Sequence, residues 1–145
     1  RYRSSAASDV YKRQALWHYH QTRLLDIVFK YSLMNLNRLH IVSLGSTTDR
    51  TTKGHDWQYQ QEKKALKSTS NALGLKSTWT GGPRGSYISF GTRSNNQHKH
   101  PNRAVMTLSE AVDCIEYVIN APEHLCVAEL VVDPLQKKDW PHGQD

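Results

Sequence analysis

Three residues stand out by type and spacing. Tyr59 and Lys63 close the run Tyr59-Gln60-Gln61-Glu62-Lys63. On a helix, positions four apart share a face, so the ammonium can sit beside the phenol. A nearby cation favours the anionic form of a phenol. Such a pair can give and take a proton near neutral pH. The spacing alone is weak, because Tyr and Lys are common on solvated helix faces. Ser46 strengthens it. It lies thirteen residues before Tyr59 and directly after His-Ile-Val-Ser-Leu-Gly. That run reads as a buried strand, which puts the hydroxyl at a strand's carboxyl end. Open α/β sheets bind ligands there.

The elements that must hold these residues alternate between two periodicities. Ala15 to Leu36 carries apolar residues at helical spacing, including Leu24, Leu25, Ile27, Val28, Tyr31 and Leu33. Leu39 to Gly45 is short, β-branched and bounded by polar residues, as a buried strand is. Ser46 to Asp56 reads as a loop. A second helix is expected over 57–73, with Asp56 as N-cap and Gly74 as its stop. Residues 80–85 form a turn cluster, and Ser86 to Gly91 reads as a second strand. Thr92 to Arg103 is a long polar loop. Thr107-Leu108-Ser109-Glu110 is a capping box opening a third helix. Cys126 to Val132 reads as a third strand, and 136–145 as a loose polar tail. Helices alternating with strands predict an α/β fold with a parallel sheet and helices on both faces.

The combination resembles the classical short-chain dehydrogenase/reductase family over Leu24 to Pro134, about three quarters of the chain. In that family a strand ends in a serine, Tyr-x-x-x-Lys comes at this distance, and a further strand leads into a variable substrate loop. The resemblance implies Tyr59 as general acid/base and Ser46 as the hydroxyl that hydrogen-bonds the substrate. It implies Lys63 as the residue that favours the phenolate and contacts the nicotinamide ribose. Backbone near Gly91 and Arg93 would approach the carboxamide. The implied cofactor is NAD or NADP, and the implied reaction is hydride transfer with a small carbonyl/alcohol substrate. The family's Pro-Gly is Phe90-Gly91 here, so the glycine is kept and the proline is not. Counting back twenty-eight positions from Ser46, where the family often carries an asparagine, reaches His18.

The family's N-terminal Gly-rich turn and its Asn-Asn-Ala-Gly strand have no counterpart in this sequence. Gly81-Gly82-Pro83-Arg84-Gly85 comes after a helix and before a strand, the wrong order for a dinucleotide turn. The expected fold is therefore a truncated, Rossmann-like three-layer unit over 15–135, with the N-terminal nucleotide-binding half missing. A catalytically inactive fragment, or an interaction module without enzymatic activity, is the competing expectation. The two long helices are those the family uses for dimer packing, which implies a homodimer or homotetramer for the parent enzyme.

Composition bounds the alternatives. The chain has 145 residues, suiting one domain, with 37% hydrophobic residues. Its mean hydropathy is −0.69. No stretch reaches the roughly 20 apolar residues that cross a bilayer, so no membrane partner is expected. The first fourteen residues join poorly to the helical pattern after them and resemble translated adapter sequence, so they are set aside as a non-native leader. Without their net +3, the formal +6 falls to +3, which calls for no nucleic acid. Lys63, Lys64 and Lys67 with Trp57 and Tyr59 form a basic, aromatic stretch, but a partly packed helix face accounts for it better. His18/His20 and His98/His100 are spaced for a metal only on a strand, and they fall in a helix start and a loop, so no metal is expected. Cys114 and Cys126 make a poor disulfide framework and read as small buried side chains, in a reducing and hence cytoplasmic setting.

Overall fold

The computed structural model describes residues 19–35, 39–50, 57–92, 98 and 104–135. Helices and strands alternate along them: α1 (His20–Met34), β1 (His40–Leu44), α2 (Trp57–Thr80), β2 (Arg84–Phe90), α3 (Leu108–Ile119) and β3 (Glu129–Val132). A 3-10 turn, Thr47–Arg50, comes after β1. The strands form one sheet in the order β1-β2-β3, and both pairings are parallel. Parallel neighbours need a crossover, which α2 and α3 supply. This is the α/β arrangement expected from the sequence.

β2 is the central strand, and every residue from Gly85 to Phe90 is buried. Its side chains alternate between two cores, as a pleat requires. Tyr87 packs with Leu25 of α1, Leu66 of α2, and the partly buried Ile41 and Leu73. Ile88 and Phe90 pack on the other face with Met106, Ala111 and Val118. The unit therefore has three layers: α1 with α2, the sheet, then α3. β1 is in register with β2, Ile41 opposite Gly85 and Ser43 opposite Tyr87.

Helix α2 does not stop at Gly74. It runs six residues further, and Gly81, at φ 69, ends it in the left-handed region that favours glycine. The Gly81 N–H donates to Ser77 O at 2.8 Å. Gly74 has a different task. A Cβ there would lie 3.1 Å from Gly85 O, so the glycine lets helix and strand backbones approach closely. The capping box at Thr107 forms as expected: Glu110 N–H donates to Thr107 Oγ1 at 3.2 Å, and Thr107 N–H to Glu110 Oε2 at 2.7 Å.

Other boundaries move. α1 begins at His20 and ends at Met34, where Asn35 donates through Nδ2 to Tyr31 O at 2.8 Å. β2 starts two residues earlier than expected, because Arg84 N–H pairs with Leu39 O. β3 starts three residues later than expected, at Glu129. Cys126 consequently lies on the approach to β3. It is exposed and not buried, with its thiol donating toward Gly85 O at 3.3 Å. Cys114 is half-buried in α3. Asp56, the expected N-cap of α2, and the segments 1–14 and 136–145 lie outside the described residues. No helix among the described residues is long and apolar enough to cross a membrane.

Candidate functional site

β1 delivers its carboxyl end to the site. Ser46 lies two residues past the strand and opens the 3-10 turn, with Asp49 N–H donating to Ser46 O at 2.9 Å. The Ser46 hydroxyl is held by Thr48: the two oxygens are 3.0 Å apart, and Thr48 N–H donates to Ser46 Oγ at 3.3 Å. Tyr59 and Lys63 both lie in the first two turns of α2, which packs along β1 and β2. As the spacing predicts, they share a face. The Lys63 Nζ sits 5.7 Å from the centroid of the Tyr59 ring, within cation–π range.

Lys63 is buried, with 7% of its surface exposed. A buried ammonium needs acceptors. Lys63 Nζ donates to Gln21 Oε1 at 2.6 Å and to Leu44 O at 3.1 Å. One ammonium thus ties α2 both to α1 and to the last residue of β1. Its neighbour Glu62, also buried, accepts the backbone N–H of Tyr19 at 2.5 Å. Tyr19 is a non-glycine residue at φ 52, so this contact helps hold a strained entry to α1. Two consecutive α2 side chains therefore fix where α1 begins relative to the site.

Beneath Ser46 lies a second polar group. Tyr87, fully buried, donates its hydroxyl to Asp49 Oδ2 at 2.8 Å, and Ser89 Oγ lies 3.4 Å from the same oxygen. Burial foremost, then the Asp49 hydrogen bond and charge, push the Tyr87 phenol well above its ordinary range; the Ser46 backbone N–H opposes that rise. At the turn's far end Arg50 pairs with Asp133, just beyond β3. Gly91 abuts the same aspartate: a Cβ at position 91 would overlap the Asp133 side chain and come within 2.7 Å of Pro134 Cδ.

The structure thus brings Tyr59 and Lys63 together, with Ser46 at the adjoining strand end and Gly91 at the end of the neighbouring strand. Arg93 and His18 lie outside the described residues, as does His100. Among the described residues no group of three or more His, Cys, Asp or Glu side chains is arranged to hold a metal. Sequence reasoning missed Gln21, Asp49 and Tyr87. Only Gly45 hinted at Tyr87, because a glycine directly before Ser46 marks a close approach by something large.

No protein-family model matches the sequence, and no curated protein matches it. Solved structures do match by shape. A 4-hydroxyisoleucine dehydrogenase complexed with NADH superposes with a TM-score of 0.61 at 20% identity, covering 83% of this chain and 54% of the other. A serine dehydrogenase complexed with NADP+ gives 0.57 at 18%, covering 73% and 47%. An acetoin dehydrogenase from Enterobacter cloacae gives 0.55 at 14%, covering 73% and 46%. The chain has part of a Rossmann-like α/β fold, as these structures do. It spans about half the length of these structures. At such identities the likeness concerns the fold, and the chemistry must be argued from the residues.

Proposed function

We propose that this chain is the C-terminal, catalytic half of a nicotinamide-dependent oxidoreductase of the short-chain type. The observation that carries the reading is Lys63, a buried ammonium held by Gln21 and Leu44 O with its charge turned to the Tyr59 ring, beside the strand end that bears Ser46. A lysine kept buried and fixed in place suits a group that acts on its neighbour better than one that only solvates a helix.

In this reading Tyr59 moves the proton at the substrate's carbonyl or alcohol oxygen, with the Lys63 ammonium fixed beside its ring. Ser46 hydrogen-bonds the same substrate oxygen and fixes its direction. Gln21 is a positioning residue, since it acts through Lys63. The residues present fit the nicotinamide end of NAD or NADP: Lys63 and Tyr59 offer donors for the ribose, and backbone at Gly91 would approach the carboxamide. When bound, that cofactor gives or takes the hydride. The adenosine end needs a Gly-rich turn at a helix N-terminus, which this sequence lacks, so it belongs to a preceding half. The dehydrogenases of similar fold were solved with NADH and with NADP+, which supports the cofactor class.

The substrate is a small carbonyl/alcohol compound, and the setting is the cytoplasm. The parent enzyme is a homodimer or homotetramer, packing through the outer faces of α1 and α2. Tyr59→Phe tests the chemistry: nicotinamide-dependent turnover should be lost while cofactor binding stays. An inactive fragment or interaction module is the second reading for the chain by itself, because β1 has an unpaired edge among the described residues.

A further inference from the structure

Tyr87 has no part in the chemistry proposed above, yet it sits under all of it. Its ring is fully buried at the centre of the sheet and lies so close to Gly45 that any Cβ at position 45 would overlap the phenol. Its hydroxyl has one hydrogen, which goes to Asp49 Oδ2 at 2.8 Å. The phenol oxygen of Tyr87 also meets the backbone N–H of Ser46 and lies 3.5 Å from Lys63 O. One buried atom is thus a common reference for the turn that carries Ser46 and the helix that carries Lys63.

Asp49 completes the arrangement. It is the buried residue of the 3-10 turn, and its backbone N–H closes that turn on Ser46 O. Its Oδ2 accepts Tyr87 and Ser89, while its Oδ1 has no partner among the described residues. Burying a carboxylate is costly unless it is hydrogen-bonded, and Tyr87 and Ser89 supply such bonds here. Asp49→Ala would remove the side-chain link from the turn to Tyr87 and Ser89 of β2.

We propose that Tyr87 and Asp49, with Gly45 left bare to admit the ring, form a positioning pair that sets the Ser46 turn at its working height against Lys63 and Tyr59. The proposal rests on reading Ser46, Tyr59 and Lys63 as the reacting group. Neither Tyr87 nor Asp49 touches substrate or cofactor. They act through Ser46, and a shift of about 1 Å there is enough to cost orders of magnitude in rate.

Tyr87→Phe keeps the ring and removes the hydroxyl, so the core stays filled. In the full-length protein that carries this chain, two measurements apply. Amide hydrogen exchange at Asp49 should quicken by about tenfold in Tyr87→Phe, while exchange at Ile88 in the same strand stays as it was. Turnover should fall by about tenfold or more, with the KM for the cofactor within about twofold of wild type. Asp49→Asn, which keeps an acceptor oxygen, should retain more turnover than Asp49→Ala. Unchanged exchange at Asp49 overturns the pair, and so does full turnover in Tyr87→Phe with quickened exchange. If the wild type shows no nicotinamide-dependent turnover, the catalytic reading fails by itself. The exchange rates then decide separately whether the pair holds the turn.

Discussion

Buried polar side chains define this molecule at the residue scale. Lys63, Glu62, Asp49 and Tyr87 are all shielded from solvent, and each has hydrogen-bonding partners drawn from a different element. Tyr87 makes a pH prediction possible. Burial first, and then the Asp49 carboxylate, raise its ionisation well above the ordinary value of 10.0. The unfolded chain gives up this proton near 10, and the folded chain keeps it. Stability is therefore complete below about pH 10 and falls as pH rises beyond it. Chemical denaturation measured between neutral and strongly alkaline pH should show that fall in wild type and a shallower one in Tyr87→Phe. Equal slopes would mean that the phenol is not held as described. At this scale the sequence was legible only where a spacing rule existed. Tyr59 and Lys63 announce each other across one helical turn, and Ser46 comes just after a strand. Gln21 and Asp49 obey no such rule, because their partners lie 42 and 38 residues away, and only the packing of α1 and β2 brings them in.

Elements arise from patterns that mix local and distant causes. The strand–helix alternation was readable because β1 and β2 are short stretches with β-branched or aromatic residues, and α3 has a capping box that needs nothing beyond its own first turn. Gly74 misled because a glycine after a helical pattern usually ends it, whereas this one serves the contact with Gly85, a residue eleven positions on. The true stop is Gly81, where the left-handed backbone demands it. Gly81→Ala should cost about 1 kcal/mol, since a Cβ is disfavoured there by that amount while no neighbour lies within 4 Å to add a clash. Thermal unfolding would measure the loss. A variant as stable as wild type would show that the helix end relaxes freely. The start of β3 was not readable, since Cys126 to Ala128 has strand-like composition but runs outside the ladder apart from Tyr87 N–H to Ala128 O at 3.0 Å.

Across the whole molecule, apolar surface is unevenly placed. Leu24, Ile27, Tyr31 and Met34 form a stripe along the outside of α1, with Met34 83% exposed, and Leu75 and Trp79 are exposed on the last turns of α2. Patches of this kind mark association surfaces. If the proposed parent enzyme associates through this face, Ile27→Asp should lower its mass in light scattering, with the helical content kept; an unchanged mass would contradict an interface here. The overall architecture was foreseeable because a parallel sheet imposes crossovers and crossovers impose layers. The partner surface was not, because helical spacing marks apolar faces without saying which one turns inward. Single-turnover hydride transfer in the proposed parent enzyme is the most direct probe of the Tyr59–Lys63 pair beside Ser46. Tyr59→Phe should slow the appearance of reduced nicotinamide by at least about a hundredfold while the cofactor Kd stays within about twofold. Hydride transfer at the wild-type rate in Tyr59→Phe would mean that the phenol is not the proton-transfer group.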